Sequence, residues 1–265
     1  MKYRSFFIFI VMPFTAAMAK IADTNSDISQ QESNVYKMPS AYLQEAETFY
    51  DSVKLDLCCL DKEVFIKAYR GYLLLLNRGL VAKTGILTIA DLSQSSRQKR
   101  LYIIDLDHYK LLFNTYVSHG KNSGGEMATK FSNKKDSYQS TLGFLLTSGT
   151  YIGCAGYSLR LKGMEPGIND NVLDRDIVVH GSKFVNEKIA AKQGRVGNSM
   201  GCPAVPMLQN KPIINTIKGG SVYFIYNPNE HYNTTSKLLN TSFPLSPMLQ
   251  LTVQNIVEDT PPVPL

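Results

Sequence analysis

The sequence predicts a mainly β, α+β chain in which a short helical segment precedes a strand-rich domain. Three observations lead there. Short runs rich in β-branched and aromatic residues recur between Ile86 and Tyr226, separated by Gly-, Ser- and Asn-rich loops. Two earlier stretches, beginning near Ser40 and Lys62, place apolar residues at helical spacing instead. Apolar residues make up 44% of the chain against 19% charged, which supports a buried core and excludes a disordered chain.

The elements follow in order. Lys2 and Arg4 precede a mostly apolar run from Ser5 to Thr15, and Ala17-Met18-Ala19 supplies small residues at both positions a signal peptidase reads. Residues 1–19 therefore read as a secretory signal. The run is interrupted by Pro13 and falls short of the roughly 20 apolar residues that cross a bilayer. No later segment is apolar enough, so no membrane span is expected after signal cleavage. The mature chain is expected to be exported, to the periplasm or cell envelope. Residues 20–38 are polar and aperiodic, as in a flexible linker.

Residues 39–84 form the helical segment. One helix is expected from Ser40, with Tyr42, Leu43, Ala46, Phe49 and Tyr50 at helical spacing. A second is expected over Lys62–Asn77, with Val64, Phe65, Ala68, Tyr72, Leu75 and Leu76 on one side and Gly79 as its stop. The strand-rich domain, 85–227, has candidate strands at Ile86–Ala90, Arg100–Asp105, Lys110–Ser118, Gly143–Ser148, Tyr157–Lys162, Ile177–His180 and Ser221–Tyr226. The second and third make a hairpin through Leu106–Tyr109. The remainder, 228–265, is a Pro-rich tail in which Leu249–Val257 is one more strand candidate.

Composition narrows the function. A net charge of +6 without dense Lys/Arg blocks gives no support to nucleic-acid binding. With no CxxC and no HExxH, no metal site and no cofactor are expected. Among four cysteines, the adjacent Cys58 and Cys59 cannot easily pair with each other, whereas Cys154 can pair with one of them in an exported protein.

One constellation carries chemistry. Asp176-Ile-Val-Val-His180-Gly181 is an apolar β-branched run that delivers a histidine to a strand end. Ser182 can cap a following helix, Lys183–Gln193, which Gly194 would terminate. The chain then returns through RVGNSMG to Cys202, followed by Pro203. A helix between them lets strand and loop bring imidazole and thiol together. An imidazolium beside a thiol lowers its pKa from about 8.5, and the imidazole then serves as general acid. Its other ring nitrogen needs an acceptor, and the Gly181 carbonyl is close in sequence. Gly201 removes a side chain beside the cysteine, so that backbone N–H groups can face an oxyanion. His119 ends another strand beside the loop HGKNSGGE and is a candidate substrate contact, as is Met200 beside Gly201. Papain-type enzymes place the cysteine first and the histidine far downstream, the reverse of this order.

The pair His180-Gly181 followed by Ser199-Met-Gly-Cys202 resembles the His…Ser-x-Gly-Cys signature of the L,D-transpeptidase catalytic-domain family. Upstream, RLYIIDL, YVSHGKNSGGE, FSN, STLGF, GYSLRLKG and RDIVVHG are similar to its murein L,D-transpeptidase subgroup, whose cysteine motif reads S-x-GCPAVP. The resemblance implies a β-sandwich or barrel-like catalytic domain acting on peptidoglycan stem peptides. In such enzymes the cysteine attacks the carbonyl of the third stem residue, releases terminal D-alanine, and passes the acyl group to a neighbouring stem amine. Carried over, Cys202 is the nucleophile, His180 the base and acid, and Gly181 the orienting carbonyl. Gly201 and Cys202 supply oxyanion N–H groups and Ser199 shapes the pocket. Many members carry a second histidine before the Gly-Cys pair and an Arg or Asn two residues after it. Here Met200 and Ala204 stand at those positions. A hydrolase using water as acceptor, an L,D-carboxypeptidase or peptide amidase, and a wall-binding module with an inactive site therefore remain alternative expectations.

Overall fold

The computed structural model describes residues 38–243. The signal reading of 1–19, nearly all of the 20–38 linker and the strand reading of Leu249–Val257 lie outside the described residues.

Helix α1 (Ser40–Val53) follows Pro39 and stops where Lys54 turns left-handed at φ 55°. A 3₁₀ turn, Leu55–Cys58, leads to helix α2 (Lys62–Asn77), whose start is set by Asp61 accepting from the Glu63 and Val64 amides. Gly79, at φ 67°, lets the chain leave the helix as expected. Eight strands follow: β1 (Ile86–Asp91), β2 (Leu101–Asp105), β3 (Lys110–Thr115), β4 (Gly143–Gly153), β5 (Gly156–Gly163), β6 (Val178–Ser182), β7 (Ala204–Pro206) and β8 (Val222–Tyr226). Among them lie α3 (Glu187–Gln193) and α4 (Asn210–Ile217), and after them α5 (Glu230–Thr235) and α6 (Lys237–Asn240). The mainly β expectation holds. All eight strands belong to one sheet, in the order β3-β2-β1-β8-β4-β5-β6-β7.

Only the β1–β8 and β6–β7 pairs are parallel. Every residue of β1 and of β8 is buried, which explains why both read as unbroken apolar runs rather than alternating ones. Helix α2 lies against this part of the sheet, so the helical segment and the strands share one core. Gly71 lets the two approach closely. A Cβ there would sit 2.0 Å from the Phe144 ring, which itself stacks on Phe224 with centroids 4.2 Å apart.

Three expectations change. The helix expected over 183–193 begins only at Glu187, because β6 continues through Ser182 and Asn186 supplies the cap, accepting from the Ile189 amide at 2.9 Å. The described part of the Pro-rich tail is helical and docked. Tyr232 and Leu238 are buried, the Tyr232 hydroxyl and Ser236 both donate to the buried Glu165 carboxylate, and the Phe144 amide donates to it at 2.8 Å. Arg70, also buried, donates to the carbonyls of Leu238 and Thr241. Lastly, the disulfide left open for Cys154 with Cys58 or Cys59 is not formed, since all four cysteines are free thiols. Cys154 lies exposed at the tip of the β4–β5 hairpin, on a different element from the 3₁₀ turn that carries Cys58.

Gly71→Ala should lower stability by about 1–3 kcal/mol despite alanine's better helix propensity, because the added methyl overpacks the Phe144 contact. Urea denaturation at constant m-value would measure it; a stabilised variant would show that the interface yields.

Candidate active site

The parallel register of β6 and β7 creates the site. His180 on β6 faces Ala204 on β7 and, across the other edge, Ser158 on β5. Cys202 stands two residues before Ala204, in the loop that leads into β7. Val178, His180, Ser182, Cys202, Ala204 and Ser158 all line one cleft of about 590 Å³. The β4–β5 hairpin forms one wall, with Tyr151, Gly153, Cys154 and Ala155. Lys121, Asn198 and Met200 line the cleft as well.

His180 Nδ1 lies 3.1 Å from its neighbour's carbonyl, Gly181 O. A carbonyl only accepts, so Nδ1 carries the hydrogen and Nε2 is the basic nitrogen. Gly181 is buried, and a Cβ there would come within 2.9 Å of Met207 Sδ and 3.0 Å of Asn210 Cβ. The Cys202 thiol donates to the Asp176 carbonyl at 3.5 Å, not to the imidazole. Burial pushes its pKa up; the Val178 N–H and the Arg175 guanidinium pull in the opposite direction. Burial thus opposes the thiolate that a neighbouring imidazolium would favour.

The Cys202 loop is tied down by Ser199. Its hydroxyl donates to Cys202 O at 2.6 Å and accepts from the Gly201 N–H at 3.1 Å. Gly201 stands at φ 120°, and a Cβ would lie 2.9 Å from Gln139 O and 3.0 Å from Ile177 Cδ1, so both conformation and space require glycine. Its N–H donates to Ser199 Oγ.

The four histidines separate by environment. His108 is exposed and contacts Asp105 at 2.9 Å; His231 is exposed. His119, expected at the substrate, is 1% exposed. Its Nδ1 accepts from Arg100 Nη2 at 2.8 Å and its Nε2 donates to Gly124 O at 3.2 Å. Both nitrogens are occupied in the interior, so His119 fixes a loop rather than facing the cleft. Met200 does sit at the cleft rim, 60% exposed. Arg175, which sequence reasoning passed over, donates to Ser132 O, Ser137 Oγ and Gln139 O beside Gly201. Nothing local marks it, because its acceptors lie about forty residues upstream.

A sequence profile of the L,D-transpeptidase catalytic domain matches residues 58–226. The chain belongs to the L,D-transpeptidase catalytic-domain family. Its solved relatives are distant: an L,D-transpeptidase from Mycobacterium smegmatis at 12% identity and TM-score 0.33, and LdtMt1 in complex with imipenem at 11% and 0.34. In both cases the similarity covers 54% of this chain and 59% of the other, so the chain spans just over half the length of these relatives. An L,D-transpeptidase from Stackebrandtia nassauensis is 13% identical at TM-score 0.33, covering 63% of this chain and 68% of its own. No curated protein matches the chain. No helix among the described residues of this L,D-transpeptidase-family chain is long and apolar enough to cross a membrane.

Two predictions arise here. Arg175→Met should move the pH midpoint of Cys202 alkylation upward and slow alkylation at neutral pH, since a cation favouring the thiolate is gone; Arg175→Lys should restore most of it. Burial, then the Arg100 charge, pulls the His119 pKa down to about 4. The unfolded chain protonates this residue near 6.5, so between about pH 6.5 and 4 it binds more protons than the native state, and stability falls as the solution is acidified. Native and His119→Asn chains should therefore differ in stability by a few kcal/mol less at pH 4 than at pH 7. Parallel curves from chemical denaturation would refute it.

Proposed function

We propose that this chain is an exported cysteine L,D-transpeptidase acting on peptidoglycan stem peptides, with Cys202 as nucleophile and His180 as general base and acid. The observation that carries the reading is the shared cleft: thiol and imidazole both line it, with the basic Nε2 defined by the Nδ1–Gly181 contact.

In this reading the thiol leaves the Asp176 carbonyl and passes its proton to His180 Nε2. The sulfur attacks the carbonyl of the third stem residue, and the Cys202 N–H faces the oxygen as it becomes negative. Collapse breaks the peptide bond. His180 returns the proton to the departing amine, terminal D-alanine leaves, and an acyl thioester remains. A neighbouring stem's side-chain amine then attacks that thioester, losing its proton to His180, and the thiol is regenerated. Ser199 and Gly201 hold the loop. Met200 borders the cleft as a substrate contact. The N-terminal segment 1–19 supports export to the periplasm or cell envelope.

Intact mass after carbapenem exposure should show one covalent adduct, lost in Cys202→Ala and strongly slowed in His180→Ala. An adduct that survives Cys202→Ala defeats the assignment. Incubated with tetrapeptide muropeptides, the native chain should yield cross-linked dimers. Tripeptide without dimer identifies water as the acceptor, and unaltered muropeptides on chain that still binds sacculi identify a wall-binding module.

A further inference from the structure

The cleft contains a cation that the reaction outlined above does not use. Lys121 lines it, as do Asn198 and Met200, and among the described lining residues Lys121 is the one Lys or Arg. Asp176 is the one lining carboxylate, and the other titratable lining groups are His180, Cys154, Cys202 and Tyr151.

Two sets of contacts fix where this ammonium sits. Its backbone belongs to the catalytic loop's support: the Lys121 N–H donates to Ser199 O at 2.8 Å, and Gly120 forms a parallel bridge with Ser199. Its Nζ lies 4.1 Å from the centroid of the Tyr138 ring. That ring is carried by a residue at φ 54°, whose carbonyl accepts from Asn122 N at 3.1 Å. A lysine held over an aromatic face loses less freedom on binding an anion than a free surface lysine does. Lys121 makes no ion pair with any described carboxylate.

The other nearby cation is unavailable. Arg175 has its guanidinium directed to three protein acceptors, and Ala204 leaves no polar side chain two residues after the nucleophile. A stem peptide cleaved with release of its last residue carries a carboxylate one residue beyond the attacked carbonyl, about 3.8 Å further along the chain.

We propose that Lys121 is a specificity-determining residue that receives the C-terminal carboxylate of the donor stem, selecting stems in which the residue after the scissile bond is the last. The proposal rests on the transpeptidase reading above. The selected class is a peptide with a free carboxylate at that position; an amidated or extended stem lacks the charge there and is disfavoured.

The test uses the full chain and two synthetic donor tetrapeptides, one with a free C-terminal carboxylate and one with a C-terminal amide. Release of the last residue is followed by mass spectrometry. The native chain should prefer the acid over the amide by about tenfold in kcat/KM, mostly through KM. Lys121→Gln should bring that ratio close to one, and Lys121→Arg should keep it. Thermal melts of both variants check the fold, and because the readout is a ratio within one protein, partial misfolding does not mimic the effect. An unchanged acid-to-amide ratio in Lys121→Gln overturns the lysine's role while leaving the Cys202 chemistry standing. Native chain that releases the last residue from neither donor and forms no acyl-enzyme overturns both.

Discussion

A buried arginine holds the ground on which the active site stands. Arg100 is fully buried and directs its guanidinium to Gln94 O, Val117 O and His119 Nδ1. Burial lowers its pKa to about 9, with Asp91 acting against the shift, so it stays charged at neutral pH and its contacts are charge-assisted. Those contacts fix the segment that leaves β3. The segment in turn grips the nucleophile's loop at both ends: His119 O accepts from Ser199 N at 3.0 Å, and Ser118 exchanges bonds with Ala204 through its amide and its hydroxyl. Cys202 lies between these two attachments. An isolated buried charge is costly, and removing one partner of such a set leaves the others unsatisfied, which is why the arrangement behaves as a unit.

The electrostatics of the thiol follow from the same frame. Cys202 lies deep enough for burial to favour the neutral form, yet the Val178 N–H and Arg175 sit close enough to favour the anion. Burial and its neighbours thus act on the sulfur in opposite directions, with burial the larger influence. With Nδ1 directed at Gly181 O, the neutral imidazole presents Nε2 as an acceptor and not as a donor. A preformed thiolate–imidazolium pair would need the sulfur to face His180 at rest, and here it faces the Asp176 carbonyl.

Much of this was legible in the sequence, for local reasons. Asp61 before an apolar helical stripe, Gly79 after it, and β-branched runs bounded by turn residues all act within a few residues, so α2 and seven of the eight strands could be located. The two residues that meet at the cleft, His180 and Cys202, stood out because a strand ending in His-Gly and a Gly-Cys-Pro loop are each local features. What escaped depends on distant contacts. Helix α4 contains Pro212, which reads as a breaker but falls in the first turn, where no helical N–H is needed. Strand β7 spans only Ala204–Pro206 and exists because β6 offers it an edge. His119 looked like a cleft residue from its Gly-rich context, and only the position of Arg100 reveals that it points inward.

The place of the site in the sheet has its own logic. The strands β1, β8 and β4 are covered by α2 and by the docked α5–α6 turn, and a dyad there would be inaccessible to a polymer. The other end is open. Strand β7 is the last of the sheet, too short to offer a long free edge, and Pro206 removes one of its donors. So short an edge strand cannot position a nucleophile by pairing alone, and the flanking loop needs anchors outside the sheet. The Ser199 hydroxyl, the Ser118–Ala204 pair and the close fit of Gly201 against Gln139 and Ile177 provide them. An open cleft and a rigid Cys202 loop are conflicting demands on a sheet edge. In this chain they are met by separate parts, the open face of β5–β6–β7 and the clamp from residues 118–121.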